Sequence, residues 1–354
     1  MSRQIGIEDL EDIARGAAIL GAGGGGDPYL GRLLAENAIR TYGPVTLVDM
    51  DELTDDAMVL PVAIMGAPTV IVEKPQAGTE FGAAVRDMAA SLPSQATHIA
   101  CLEAGGLNSM IPIATAAECG LPLIDGDGMG RAFPELQMVL FTLDGISSTP
   151  MAMADDKGNT VVLETIDNAW SERLARSATV DMGCAAAICL YPHTGEQARQ
   201  ALVPRTMSLA AELGALVRLS SQGDTAGEVA RSLGGAVLMR GQVSDVSRRT
   251  VAGFARGQAV ITGLEEYAGS QMTLDFQNEH LVATRDGEVV ASVPDLICVL
   301  DLETGEPITT EAMRYGFRVT VIMLPCHERW RTPEGLALVG PGYFGYDHPY
   351  VAPR

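Results

Sequence analysis

The sequence is short of lysine, of closely spaced cysteines or histidines, and of long apolar runs, and each shortage removes a class of function. Two lysines, Lys74 and Lys157, stand among 24 basic residues, against 45 acidic ones, for a formal net charge of -21. Recognition of phosphate backbones or anionic lipid needs clustered cations, so neither nucleic acid nor a membrane surface is an expected partner. The six cysteines (Cys101, Cys119, Cys184, Cys189, Cys298 and Cys326) form no C-x-x-C pair and lie mostly in apolar strings, the pattern of reduced, buried thiols. The five histidines show no H-x-x-x-H spacing, which removes a visible His-rich zinc site. A G-x-S-x-G elbow is missing, so a serine hydrolase is a poor fit. No apolar run approaches the roughly 20 residues of a membrane span. The segment "MSRQIGIEDLEDIARG" lacks the basic-then-apolar order of a secretory signal. A cytoplasmic protein is expected.

What is present is a chain of 354 residues, 47% hydrophobic and long enough for two domains. In the first half, apolar runs such as "VTLVDM", "THIACLEAGG" and "LPLIDGDG" alternate with helical patterns such as "GAAVRDMAASL". That alternation predicts an N-terminal three-layer α/β domain with a mostly parallel sheet over residues 1–168. A hairpin signal falls at Asp155 to Asn159, and "ARQALVPRTMSLAAELGALVRLSSQG" predicts a longer helix running through Pro204. Residues 169–354 are expected to form an α+β domain. Within it, strand patterns with glycine-bearing turns, "RDGE" and "ETGEP", predict an antiparallel β-barrel over about 234–325. The aromatic, Pro- and Gly-rich closing segment 326–354 is expected to pack back on the N-terminal domain, or to face a planar ligand.

Three stretches carry candidate chemistry. "GAGGGG", Gly21 to Gly26, satisfies G-x-G-x-x-G, and Asp49 stands where a ribose-binding acid would be sought; a dinucleotide-binding enzyme is therefore one alternative. The spacing before Gly21 is helical, however, and the fingerprint should follow a strand. A glycine-rich turn between helices is the plainer reading. Its free amides, with Gly24, Gly25 and Asp27 at a helix start, suit an anionic or polar group. "CLEAGGLNSM" places Glu103, Gly105, Gly106 and Asn108 just past a strand. "LIDGDGMGRAFPELQM" does the same for Asp125, Asp127, Arg131 and Glu135. Any one such acid is more often a turn former than a catalyst. Repetition at successive strand ends, where α/β sheets bind ligands, favours function for the group. Carboxylates beside an amide suit either a divalent cation or a general base next to a carbonyl-polarising donor. Cys101 points to the same side as Glu103, as a buried thiol or a further ligand.

The strings "GAGGGGDPYLGRLL", "EAGGLNS", "DGDGMGRAFPELQM" and "GPGYFGYDHPY", in this order over nearly the whole chain, resemble the S-methyl-thiohydantoin desulfurase family. The resemblance implies an N-terminal α/β domain with a barrel-containing C-terminal one. It implies a hydrolase that removes methanethiol from an S-methyl thiohydantoin, or acts on a hydantoin-like ring, with a bound metal, zinc. It also implies a link to hydantoinase and oxoprolinase proteins, so a non-catalytic subunit or binding module partnering such an enzyme is the second alternative. Glu103, Asp125, Asp127, Arg131 and Glu135 are then the expected catalytic residues, with Gly24, Gly25, Asp27, Gly105, Gly106 and Asn108 binding substrate. Asp125 or Asp127 would be ligand or base, Glu103 ligand or proton shuttle, and Arg131 a clamp for a substrate carboxylate. The expected metal ligands are Asp125, Asp127 and Glu103. A homo-oligomer is a further expectation.

Overall fold

Strands that are apolar along their whole length must be covered on both faces, and the run "MVLPVAIMG" sits at the middle of a sheet accordingly. The computed structural model describes residues 2–66, 70, 73, 78–220, 223–251 and 254–352. Among these, no helix is long and apolar enough to cross a membrane. The first sheet contains β1 (Arg3–Ile5), β2 (Val45–Val48), β3 (Met58–Gly66), β4 (His98–Cys101), β5 (Leu123–Asp127), β6 (Met151–Ala154), β7 (Thr160–Leu163) and β8 (Ala185–Cys189). Its order is β1-β2-β5-β4-β3-β8-β6-β7, and the two-residue strands β9 (His193–Thr194) and β10 (Val203–Pro204) add to β3 and β5.

Parallel pairing is confined to the central block β2-β5-β4-β3, whose strands are joined through helices. Every other ladder is antiparallel. The sheet is therefore mixed, with a parallel centre, rather than mostly parallel throughout. The β6–β7 hairpin turns where Asp155 Oδ1 accepts from the amides of Lys157 and Asn159. The helix expected to run through Pro204 is two helices, Gly195–Ala201 and Thr206–Leu219, with β10 between them. Proline has no N–H for a helix ladder, and the intervening residues pair with β5 instead.

Helix α1 (Leu10–Leu20) crosses Thr206–Leu219 at two glycines. A Cβ on Gly16 would collide with Ala210 O, and one on Gly214 with Asp12 O. Helix α2 (Pro28–Tyr42) starts as its sequence indicates, with Pro28 at its first position and Asp27 accepting from the Tyr29 amide at 2.9 Å.

The second sheet is wholly antiparallel: β11 (Ala236–Val251), β12 (Phe254–Gly263), β13 (Gln271–Gln277), β14 (Glu279–Arg285), β15 (Glu288–Ser292), β16 (Leu296–Asp301) and β17 (Arg318–Leu324). Its order is β15-β14-β13-β12-β11-β17-β16. Register shifts, as between Val243 and Asp245 and between Asp275 and Phe276, curl it around an interior that includes Met239, Ile261, Leu274 and Val321. The expected closed barrel is not formed; the sheet is a curled half-barrel. β15 and β16 end the order without a ladder between them, and two carbonyls of their connection, Pro294 O and Asp295 O, are taken by Arg131 of the first half. Leu281, Val282, Leu296 and Ile322 of this sheet join the same core as the first sheet.

Candidate functional site

A cleft opens where the parallel strands end and the half-barrel begins. β3 contributes Ala63 to Gly66, the glycine loop Gly25 and Gly26, the segment after β4 Glu103 and Asn108, and the segment after β5 Phe133 to Leu136. Arg176 closes one rim, and Asn278 and Glu279 arrive from the half-barrel.

The segment after β4 is held tightly. Asn108 Oδ1 accepts from the Ile64 amide at 2.8 Å, and its Nδ2 donates to Ile64 O at 3.4 Å and to Glu103 Oε1. The other oxygen, Glu103 Oε2, accepts from the Phe133 amide at 3.3 Å. Glu103 is 7% exposed. Burial raises its carboxyl to about 7; the Asn108 and Phe133 bonds oppose that rise and the Asp127 charge adds to it. Cys101 donates its thiol to Glu103 O at 2.7 Å, and burial holds its pKa well above the usual thiol range, so it is a structural thiol.

The glycine loop exists to let three segments meet. Gly23, Gly25 and Gly26 have φ of +93°, +78° and +80°. A Cβ on Gly25 would strike Gly105 O, and one on Gly24 would strike Glu279 Oε1. Gly25 O and Gly26 O accept from the amides of Asn108 and Leu107, and Gly106 adopts a φ of +50° beneath them. The loop follows α1 rather than a strand, so the dinucleotide fingerprint lacks its structural context. Asp49 caps a short turn through the Asp51 amide, and Asp27 caps α2; neither lines the cleft.

The segment after β5 is built differently. Asp127 is fully buried and accepts from the amides of Ala104 at 2.7 Å, Met129 at 3.0 Å and Gly130 at 2.9 Å. Burial pushes its carboxyl up to about 7, against the pull of those donors. Asp125 turns away to the helix Thr206–Leu219, accepting from Ser208 N at 3.0 Å and from Ser208 Oγ at 2.5 Å. Arg131 is fully buried; Nη1 donates to Pro294 O at 2.7 Å and Asp295 O at 2.8 Å, Nε donates to Ala132 O, and the guanidinium carbon lies 4.5 Å from the centre of the Phe133 ring. It binds the two halves of the chain together and does not line the cleft. Glu135 stands at the rim, accepting from Tyr343 OH at 2.7 Å and from Gln137 Nε2 at 2.6 Å. The closing segment reaches the same place, with Trp330 Nε1 donating to Met129 O and its ring against Phe133.

Of the expected metal ligands, then, only Glu103 faces the cleft, since the oxygens of Asp127 are taken by backbone amides and those of Asp125 by Ser208. Among the described residues no group of three or more His, Cys, Asp or Glu could hold an ion. The donor set does not fit the metal site expected of it.

Glu279 is the residue that sequence reasoning missed. It is 2% exposed, one of its oxygens, Oε2, has no partner, and burial together with the Glu103 charge holds its carboxyl well above the usual range. It follows Asn278, whose φ of +59° puts the chain through the left-handed region between β13 and β14. An Asn-acid pair between two strand patterns, in "FQNEHL", was the available signal.

Two family models match the chain: one described as S-Me-THD-like, N-terminal domain, over residues 8–165, and one described as S-Me-THD-like, C-terminal domain, over residues 166–352. The fold is similar to that of a crystal structure of a protein from Chromobacterium violaceum, with a TM-score of 0.81 over 99% of both chains. At 23% identity that likeness speaks for the fold alone. No curated protein matches the chain.

Proposed function

The chain belongs to the S-Me-THD-like family, whose two domains account for residues 8–352, and from that premise we propose that the cleft hydrolyses a small cyclic amide or thioimidate, an S-methyl thiohydantoin or hydantoin-like ring. One observation carries the reading. Two buried carboxyl groups from opposite halves of the molecule, Glu103 and Glu279, face one cleft, the first with its pKa raised to about 7 and the second held well above the usual carboxyl range. Paired carboxyl groups of this kind can divide the roles of base and acid.

In this reading Glu103, ionised, takes a proton from water as the water oxygen bonds to the ring carbon bearing sulfur. Glu279, protonated, donates to the adjacent ring nitrogen and holds the charge that develops there. Collapse of the intermediate breaks the carbon–sulfur bond. Methanethiolate leaves with the proton held by Glu103, and the ring carbon becomes a carbonyl as its hydroxyl proton passes to Glu279, which restores both carboxyl groups. Asn108 fixes Glu103 for the transfer, being itself tied to both polar backbone groups of Ile64.

Methanethiol release from an S-methyl thiohydantoin by the purified chain tests this. The rate is expected to rise through pH 7 as Glu103 ionises and to fall when Glu279 loses its proton. A purified chain that releases none, yet captures a hydantoinase-like enzyme, would make it a binding subunit instead.

A further inference from the structure

Past its rim the cleft runs onto a shallow shelf. Glu135 and Arg176 border both, and beyond them stand Phe254 at the start of β12 and Val180 near the end of the helix Asn168–Asp181. Arg176 stands as a ridge between the two. Its Nε donates to Glu172, its Nη2 donates to Pro134 O at 3.3 Å, and its guanidinium carbon lies 4.0 Å from the centre of the Phe254 ring. Arg173 is drawn the other way, 5.1 Å over the Trp170 ring. Glu135 and Glu172 offset both cations, so the shelf has no surplus positive charge for an acidic group. Besides these charges and the hydroxyl of Ser177, its lining is the apolar Val180 and Phe254, and Val180 is 55% exposed.

We propose that this shelf is a substituent subsite, taking an apolar, preferably aromatic, side chain carried by the saturated carbon of the ring while the ring lies between Glu103 and Glu279. The inference rests on the hydrolase reading above. Continuity with the cleft points to the occupant: Glu135 and Arg176 line both, so a group attached to a ring seated at Glu103 can extend over the Arg176 ridge onto the shelf. The guanidinium over Phe254, its carbon 4.0 Å from the ring centre, keeps that ring in place.

Calorimetric binding of hydantoin, 5-benzylhydantoin and 5-carboxymethylhydantoin, the stable products of such reactions, tests it, with methanethiol release from the S-methyl forms measured in parallel. The benzyl compound is expected to bind about tenfold or more tightly than the bare ring, and the carboxymethyl compound more weakly than the benzyl one. Val180→Asp should abolish that preference while leaving bare-ring binding unchanged. Phe254→Ala should reduce it, and because Val180 is exposed its variant keeps the test sound if Phe254→Ala folds poorly. Equal binding of all three, tightest binding of the carboxymethyl compound, or a benzyl preference untouched in Val180→Asp would overturn the subsite alone. Failure of every ring to bind, with no methanethiol released, would overturn the hydrolase reading and the subsite together.

Discussion

The segments after β4 and β5 look alike as strings and do opposite work. Each follows a buried parallel strand, each carries glycines and carboxylates, and in each burial lifts one carboxyl to about 7. Glu103 nevertheless faces a cleft, held by one side-chain amide and one backbone amide. Asp127 is enclosed by three backbone amides and does not line that cleft. A raised pKa marks burial in both cases. Only what the carboxyl group can reach separates a candidate acid–base residue from a loop fastener.

Substitution should pull the two apart, first and most strongly at Glu103. Glu103→Gln keeps the shape and loses the base, so methanethiol release should fall by about 10²–10⁴-fold with an unchanged circular dichroism spectrum. A decrease smaller than tenfold would put Glu103 on the structural side with Asp127. Asp127→Ala should instead cost stability, about 3 kcal/mol by denaturant unfolding, because three buried amides lose their acceptor. Full stability in that variant would mean that water replaces the carboxylate and that the comparison is misdrawn.

The pH dependence sharpens the same contrast. A carboxyl group whose folded pKa lies above its unfolded one stabilises the fold fully below the unfolded value, and that contribution is lost as pH rises toward the folded value. Melting temperature should therefore decline between about pH 4.5 and 7, and Glu103→Gln should remove on the order of 1–3 kcal/mol of that decline. The smallest effect belongs to Asp125→Ala, which removes the two bonds from Ser208 at the start of the helix Thr206–Leu219. About 1 kcal/mol of stability and no more than a few-fold in turnover are expected.

Much of this arrangement was legible before folding. Helical spacing ahead of Gly21, the cap at Asp27 and the strand end at Glu103 are local patterns, set by residues within one turn or one pleat. Asp125 and Asp127 misled because a carboxylate behind a strand serves loop amides and helix starts as readily as chemistry, and the letters are the same. Glu279 was out of reach for another reason. It shares a cleft with Glu103 only because the half-barrel packs on the first sheet, bringing together residues 176 positions apart that no window of sequence contains. The open seam of the half-barrel was hidden likewise, since its carbonyls are claimed by Arg131 from the other half.

That claim by Arg131 has a mechanical side. Swinging the two halves apart as on a hinge would strip a fully buried guanidinium of two carbonyls at once, a cost of several kcal/mol. Large opening motions are thus expected to be rare, and under the proposed function a ring would enter a groove already shaped. If the cleft hydrolyses a ring as proposed, its turnover should be set by bond-making rather than by a gate, and kcat should be indifferent to the viscosity of the solvent.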